Sequence, residues 1–443
     1  MIKSPQESQP FHYVQINEEI CNGCVLCMKA CPTKAIRIKN GKVARLEGVC
    51  INCGECIRIC PRGAVTAIIG EAGDGYEARY TSVSASTALY AQFDEEIMPN
   101  DILLGLKRMG FSHVHDQTYT NEMFNVAIEL YIKEHRKKRD APFPLISPVC
   151  PVVVKLIAHR FPSLLKNIPP LMTPREIVAR ESKRRLAAQH DLHEKEIKVL
   201  HITPCPSKMI CIKEPVFQEH SYLDEATAIC SIFETLRKNI QEVDEDIVLH
   251  HSGGIGLGWG MSGGEIAGLD MKCLAVPGLQ ETIRYLEKIE MGLLSHIDYI
   301  EFRTCTEGCL GGPYTVADKY QAKHNLQRLI HMFGAELRVK YDYVSKLYAS
   351  GWFFADRQNM SPDSSLRQSS RSEISAAIER HNLVEQILKF LPKKECGICG
   401  SPDCSTFAED VVNGDADLED CLYYDQVNKK SGFSSIRLKD KTE

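Results

Sequence analysis

The sequence predicts a mixed fold, α/β with an α+β component, and three features of the chain predict it. Residues 1–75 are dense in cysteine and glycine, with short β-like stretches between them. From about residue 78 helix-like and strand-like segments alternate, the pattern of parallel α/β layers. Beyond a polar stretch at 357–372, a helical segment leads into a last group of cysteines. The expected organisation is a cysteine-rich domain over 1–77, an α/β domain over 78–356, a linker over 357–372 and a small helical domain over 373–443.

In chain order, Ala35-Ile36-Arg37-Ile38 and Val65-Thr66-Ala67-Ile68 read as strands of the first domain. A helix begun near Asn121 closes on the basic run His135-Arg136-Lys137-Lys138-Arg139, where cations suit the negative end of the helix dipole. Thr173-Pro174-Arg175-Glu176 has the form of a capping box with Pro at the first helical position, opening a charged helix. It leads to the strand-like Ile197-Lys198-Val199-Leu200-His201-Ile202. Leu279, Ile283, Leu286 and Ile289 make a helical stripe, and Tyr299-Ile300-Glu301-Phe302 then reads as a strand. The stretch from Arg357 to Ser372 is rich in Ser, Gln, Arg and Asp and carries Pro362, a linker composition. A helix from Ile374 to Leu391 follows.

At 443 residues the chain has the length for about three domains. A net charge of −5 and a pI near 6.3 give no broad basic field, which argues against a nucleic-acid partner. No apolar run reaches ~18 residues, so no membrane span is expected. Met1-Ile2-Lys3-Ser4-Pro5-Gln6 lacks the apolar core of a signal peptide, and a cytoplasmic location is expected. Disulfides are rare in a reducing compartment, so nineteen cysteines point to metal ligation. Sixteen of them fall into three patterns; Cys211, Cys230 and Cys273 are left over and read as small buried hydrophobes.

The first pattern is Cys21-x2-Cys24-x2-Cys27-x3-Cys31-Pro32, repeated as Cys50-x2-Cys53-x2-Cys56-x3-Cys60-Pro61. Three closely spaced soft thiolates on a tight loop can hold three corners of an iron–sulfur cubane. Gly23 and Gly54 let the backbone wrap the core. The pattern resembles the bacterial two-cluster ferredoxins, and the resemblance implies a crossed fourth ligand. One 4Fe-4S cluster would take Cys21, Cys24, Cys27 and Cys60, the other Cys50, Cys53, Cys56 and Cys31. Zinc is the rival, with a different ligand spacing.

The second pattern is scattered: Ser147-Pro148-Val149-Cys150-Pro151, Thr203-Pro204-Cys205-Pro206-Ser207-Lys208 and Arg303-Thr304-Cys305-Thr306-Glu307-Gly308-Cys309-Leu310-Gly311-Gly312. Each follows a strand-like or Pro-rich stretch, where α/β folds place their sites. These segments resemble the three active-site segments of the iron-only (FeFe) hydrogenases, over roughly residues 78–355. The resemblance implies a two-lobed α/β domain holding an H-cluster. Cys150, Cys205, Cys305 and Cys309 would bind its 4Fe-4S half. Cys309 would also bridge to a di-iron subsite carrying CO, cyanide and an azadithiolate. Lys208 matches the family lysine that donates to a cyanide, a charge-assisted bond.

Departures from that family accompany the matches. Active members carry Thr-Ser-Cys-Cys-Pro in the first segment, and the first of those cysteines passes protons to the di-iron site. Here that position is Val149, which can neither give nor accept a proton. Two adjacent glutamates of the family's proton path become Ala127 and Ile128. Two methionines near the di-iron unit become Thr203 and Arg303, and Glu307 replaces a glycine. Loss of one positioned proton donor typically costs ~10²–10⁴ in rate. The pattern resembles the sensory branch of the family, in which the cofactor is kept and the relay is changed.

The third pattern, Cys396-Gly397-Ile398-Cys399-Gly400-x3-Cys404-x16-Cys421, resembles the small 4Fe-4S domain of corrinoid iron–sulfur proteins and of a membrane electron-transfer complex subunit. Zinc is again the rival. Gly258-Trp259-Gly260-Met261-Ser262-Gly263 has the spacing of a dinucleotide fingerprint. It lies in a glycine-dense run, Gly253 to Gly264, without a helix-plus-acid continuation, and reads as a tight loop packed near a cluster. His113, His115, His250 and His251 read as structural.

The expectation is thus a hydrogen- or redox-sensing homologue with three 4Fe-4S clusters and an H-cluster. It would act on H2 and protons with low turnover and signal to a protein partner such as a kinase or phosphatase; a homodimer is left open. The alternatives are a catalytic hydrogenase, with a proton route through Glu122 or Glu129, and an iron–sulfur electron-transfer or assembly protein without the di-iron site.

Overall fold

Two parallel sheets organise the central part of the chain. The first has the order His113–His115, Tyr80–Ala85, Ile197–Thr203, Glu225–Ala228, every pairing parallel. The second runs Cys273–Pro277, Tyr299–Arg303, Leu145–Ile146, again parallel throughout. Parallel strands covered on both faces lose the in–out alternation of half-buried ones. Accordingly all five residues of Tyr299–Arg303 are buried, the charged Glu301 and Arg303 included.

These strands belong to a computed structural model that describes residues 13–46, 48–69, 80–215, 218–240, 247–355 and 371–424. The chain forms two compact units, one of Met1–Gln15, Ile51–Gly54 and Ala67–Met360, the other of Ile16–Cys50, Glu55–Thr66 and Ser361–Glu443.

In the first unit each sheet has its own apolar core. Val83, Ala85 and Ile202 of one sheet pack with Leu103, Leu106, Ile232 and Leu236 of the helices Pro99–Arg108 and Ile229–Ile240. Ile146, Ile300 and Phe302 of the other pack with Val153, Ile157, Leu279, Ile283 and Leu286, from helices Pro151–Arg160 and Leu279–Glu290. The two-lobed α/β expectation matches this arrangement. Ile51 joins the second core, and Cys53 and Cys150 both pack against it.

Several local expectations shift. The helix expected from Asn121 spans Gln117–His135, capped by the Asp116 carboxylate, which accepts from Thr118 N. Pro174 opens its helix as expected, but the capping box does not form. Thr173 makes no cap hydrogen bond, and the Glu176 carboxylate accepts instead from Ser221 Oγ at 2.9 Å and Tyr222 N at 2.9 Å. A tertiary partner has outcompeted the local one. Of the three leftover cysteines Cys211 is buried, whereas Cys230 and Cys273 are partly exposed and pack at core margins. Most of the expected linker lies outside the described residues, and its last two positions, 371 and 372, begin the helix Arg371–Phe390.

The second unit joins the remaining N-terminal elements to the C-terminal ones. Strands Ile36–Lys39 and Lys42–Arg45 form an antiparallel hairpin. Its two central residues, Asn40 and Gly41, have φ of 52° and 73°, as a two-residue turn between twisted strands requires. Helices Arg371–Phe390 and Cys404–Asn413 share a small core of Val384, Ile387, Phe407 and Val411. The guanidinium of Arg37 meets the Asp410 carboxylate through two bonds, Nε–Oδ2 at 2.6 Å and Nη2–Oδ1 at 2.8 Å, with both side chains under 10% exposed. Ile38 N donates to Gly400 O at 2.8 Å. Gly400 (φ 86°) must be glycine here, because a Cβ would lie 2.1 Å from Ile38 O.

Candidate metal centres

The cysteines of the N-terminal repeat lie near one another. Burial pushes the Cys27 thiol up to about 11, helped by the nearby sulfurs of Cys24, Cys21 and Cys60. Burial likewise pushes Cys56 up to about 12, with Cys50, Cys31 and Cys27 as neighbours. Cys60 is thus near Cys27, and Cys31 near Cys56, neighbours that a crossed fourth ligand would need. Sulfurs crowded this way resist joint ionisation until a cationic core relieves them. Burial would raise Cys60 too, but N–H groups of Val65, Arg62, Ala64 and Gly63 outweigh it and lower the thiol.

The scattered cysteines come from strand ends. Cys150 follows the strand Leu145–Ile146 and is the N-cap of the helix Pro151–Arg160. Cys205 follows Ile197–Thr203 and is the N-cap of Pro206–Lys213. In both helices proline stands at the first position, where its missing N–H costs nothing. A helix N-terminus favours a thiolate. Cys305 and Cys309 follow the strand Tyr299–Arg303 on one tight loop. Both sheets of the unit therefore send ligands to one place.

Electrostatic neighbours place Cys205, Cys305 and Cys309 near one another, and Cys150 near Arg303 and Thr304. Burial pushes Cys205 up to about 12, countered by Lys208 and reinforced by Cys305 and Cys309. Cys150 Sγ lies 3.9 Å from Thr304 Oγ1. Lys208, 8% exposed, points its Nζ at Cys309 Sγ, 3.7 Å away. A buried lysine aimed at a sulfur is a cation placed for an anionic group. Three glycines let the backbone close up here. Gly308 (φ 73°) would put a Cβ 2.6 Å from Ser262 N, so the glycine-dense run packs against the cysteine loop, although the run expected as a loop opens as the short helix Gly254–Gly258. Gly311 and Gly312 similarly abut Thr306 O and Pro204 O. Glu307 holds a left-handed φ of 61° and pairs with Lys323 at 2.7 Å, a conformation that costs a non-glycine residue.

The substituted positions are equally well placed. Val149 is buried in an apolar cluster that also contains Phe124, Met172 and Trp259, with Ala127 and Ile128 in the same cluster. Thr203 is fully buried, its hydroxyl accepting from Cys205 N at 3.4 Å. Arg303 is 2% exposed and pairs with Glu265 at 2.7 Å. Glu265 also accepts from Ser147 Oγ and Tyr299 Oη, at 2.9 and 2.6 Å. Ser147, Glu265 and Glu301 are absent from the sequence expectations. The signal was Tyr299-Ile300-Glu301-Phe302-Arg303, a strand whose alternate residues carry opposite charges.

The histidines fall to structural roles. His250 Nδ1 lies 2.8 Å from Asp116 Oδ2, and the His113 ring lies 5.7 Å from that of His190, tilted by 57°. Burial lowers both His113 and His115, which disfavours their charged forms. Glu122 accepts from Gly253 N at 2.6 Å and Arg338 N at 2.8 Å, anchoring the glycine run, while Glu129 pairs with Lys133.

At the C-terminal end Cys396, Cys399, Cys404 and Cys421 all line one cavity, with Phe407 as an apolar wall. Burial raises Cys399, with Cys421 and Cys396 adding to the effect. None of the nineteen cysteines is in a disulfide. Among the described residues no helix is long and apolar enough to cross a membrane.

Four thiols that follow strands of the two parallel sheets, with a buried lysine beside them, make a donor set whose chemistry fits a cubane. Residues 79–266 match the family described as iron only hydrogenase large subunit, C-terminal domain. Residues 13–61 match the 4Fe-4S dicluster domain and 391–423 an Fe-S cluster family. The chain is a hydrogenase-like iron–sulfur protein related to the FeFe hydrogenases. It is 30% identical over 214 residues to the periplasmic [Fe] hydrogenase large subunit of Nitratidesulfovibrio vulgaris, covering 44% of this chain and 50% of that one. It is 41% identical over 46 residues to the corrinoid/iron-sulfur protein large subunit of Moorella thermoacetica, covering 10% of each. The chain spans half or less of the length of these curated relatives. Its fold is similar to that of the [FeFe]-hydrogenase HydA1 of Chlamydomonas reinhardtii, with a TM-score of 0.51 and 15% identity over 65% of this chain and 95% of that one.

Proposed function

We propose that this chain is a sensory homologue of the FeFe hydrogenases. It binds H2 at an H-cluster, turns it over slowly, and passes a redox signal through 4Fe-4S clusters to a protein partner such as a kinase or phosphatase. The observation that carries the reading is Val149, a buried apolar side chain beside Cys150 where active members place a proton-carrying cysteine. When bound, the di-iron subsite supplies the metal chemistry of H2. Cys150, Cys205, Cys305 and Cys309 would hold the iron–sulfur part of the group, and Lys208 would donate to an anionic ligand there. The neighbouring Ser147 hydroxyl is committed to Glu265 and to Val149 N, so it does not replace the missing relay.

The contact of Cys53 and Cys150 with one apolar cluster supports the N-terminal clusters as the electron path. A sensor needs only a shift between two states, and little turnover. A catalytic hydrogenase would need a proton route around Val149. Glu122 and Glu129 are both engaged elsewhere. A carrier without the di-iron unit leaves the position of Lys208 unexplained.

Maturing the protein with a di-iron precursor and recording its infrared CO and cyanide bands tests the reading. Bands that shift under H2, with negligible H2 production from a strong reductant, are expected. Vigorous production would sink the sensory reading, and absence of bands would leave the carrier.

A further inference from the structure

The sulfur ligands leave one buried charge unexplained. Tyr299, Glu301 and Arg303 share one face of their strand, as alternate residues do. The two carboxylates on that side are fully occupied. Glu265 Oε1 accepts from Tyr299 Oη, and its Oε2 from Ser147 Oγ and Arg303 Nη2. Glu301 Oε1 accepts from Gly263 N, and its Oε2 from Glu265 N and Ile266 N.

The guanidinium is not occupied. Arg303 Nη1 and Nε are buried without a hydrogen-bond partner, although Nε lies 3.4 Å from Glu301 Oε1. A fixed five-donor fork held at one corner and unmet at the others is costly unless an acceptor arrives. Arg303 lies within electrostatic reach of Cys309 and Cys150, two residues before Cys305.

We propose that Arg303 is a cofactor-contacting residue, held by Glu265 and Glu301 so that its spare N–H groups meet an anionic ligand of the bound H-cluster. The inference rests on the H-cluster reading above. In the hydrogenases this position resembles, a methionine stands here, which offers bulk and a soft sulfur but no N–H. Arginine adds a second cation to that of Lys208 and favours the more reduced, more negative states of the cofactor. That suits a site that holds an electron as a signal.

The test compares the wild type with Arg303→Gln and Arg303→Lys after di-iron loading, with N-terminal cluster absorbance as the folding control. The infrared cyanide bands should move in both variants. The cofactor's midpoint potential should become more negative in Arg303→Gln and stay near the wild-type value in Arg303→Lys. Loaded variants with unmoved bands and unmoved potential would overturn the proposal and leave the H-cluster reading intact. Should Arg303→Gln fail to load, Arg303→Lys decides alone, because it keeps the charge and changes the donor geometry; unmoved bands then count against the proposal. Absence of bands in the wild type would remove the H-cluster reading and this inference with it.

Discussion

Neutralising Asp410 should free the C-terminal module from the N-terminal hairpin. The Arg37–Asp410 pair is a two-pronged fork with both side chains under 10% exposed, and Ser401 Oγ completes the carboxylate's shell. Removing one partner of a buried pair leaves an uncompensated charge, which costs about 3–5 kcal/mol. At tenfold per 1.4 kcal/mol, this shifts the docked-to-undocked ratio on the order of 10²- to 10³-fold. The remaining contacts within this unit are weaker. Lys34–Asp403 is largely solvated, and Lys29 donates only to the carbonyls of Glu395 and Pro402. The assay is hydrogen exchange at Ile38 N–H, which donates to Gly400 O. In Asp410→Asn its protection should fall sharply while iron content stays at the wild-type level. Equal protection in variant and wild type would refute the reasoning, because the contact would then not depend on this charge. The complementary Arg37→Met variant should give the same loss.

Three further outcomes follow from the H-cluster region. Val149→Cys should raise H2 turnover toward the ~10²–10⁴ that a positioned proton donor contributes, read by H2 production from a strong reductant; an unchanged rate would place the limit at another step. Gly308→Ala, at φ 73° with a Cβ 2.6 Å from Ser262 N, should cost roughly 1–3 kcal/mol in strain. It should deplete the iron bound by the central cysteines while the N-terminal clusters remain, by cluster-resolved EPR. Burial pushes the Glu301 carboxyl up to about 7, Arg303 opposing and Glu265 adding to the rise. Between about pH 4.5 and 7 the native state then holds a proton that the unfolded chain has released. Stability should therefore fall with rising pH across that window, and Glu301→Gln should flatten the slope in thermal melts.

How much of this was legible depended on the distance over which a residue finds its partner. The doubled cysteine repeat is local and legible from its spacing alone. The strands Ile197–Thr203 and Tyr299–Arg303 and the helix Leu279–Glu290 were legible from short patterns. The central cysteines were not, because 150, 205, 305 and 309 obey no spacing rule; only the resemblance of their flanking residues gathered them. The Thr173 capping box misled for the same reason in reverse. Its pattern is correct locally, yet Ser221 and Tyr222 take the Glu176 carboxylate. Arg37 and Asp410 lie 373 residues apart, and nothing near either announces the other.

That separation has a consequence for biosynthesis. Arg37 leaves the ribosome well ahead of Asp410, which follows only after both parallel sheets have been made. Through that interval the hairpin exposes a cation built for a buried partner. A prematurely terminated chain would keep it exposed, a visible mark of incompleteness for the cell's quality control. The cation is hidden only once Asp410 is in place.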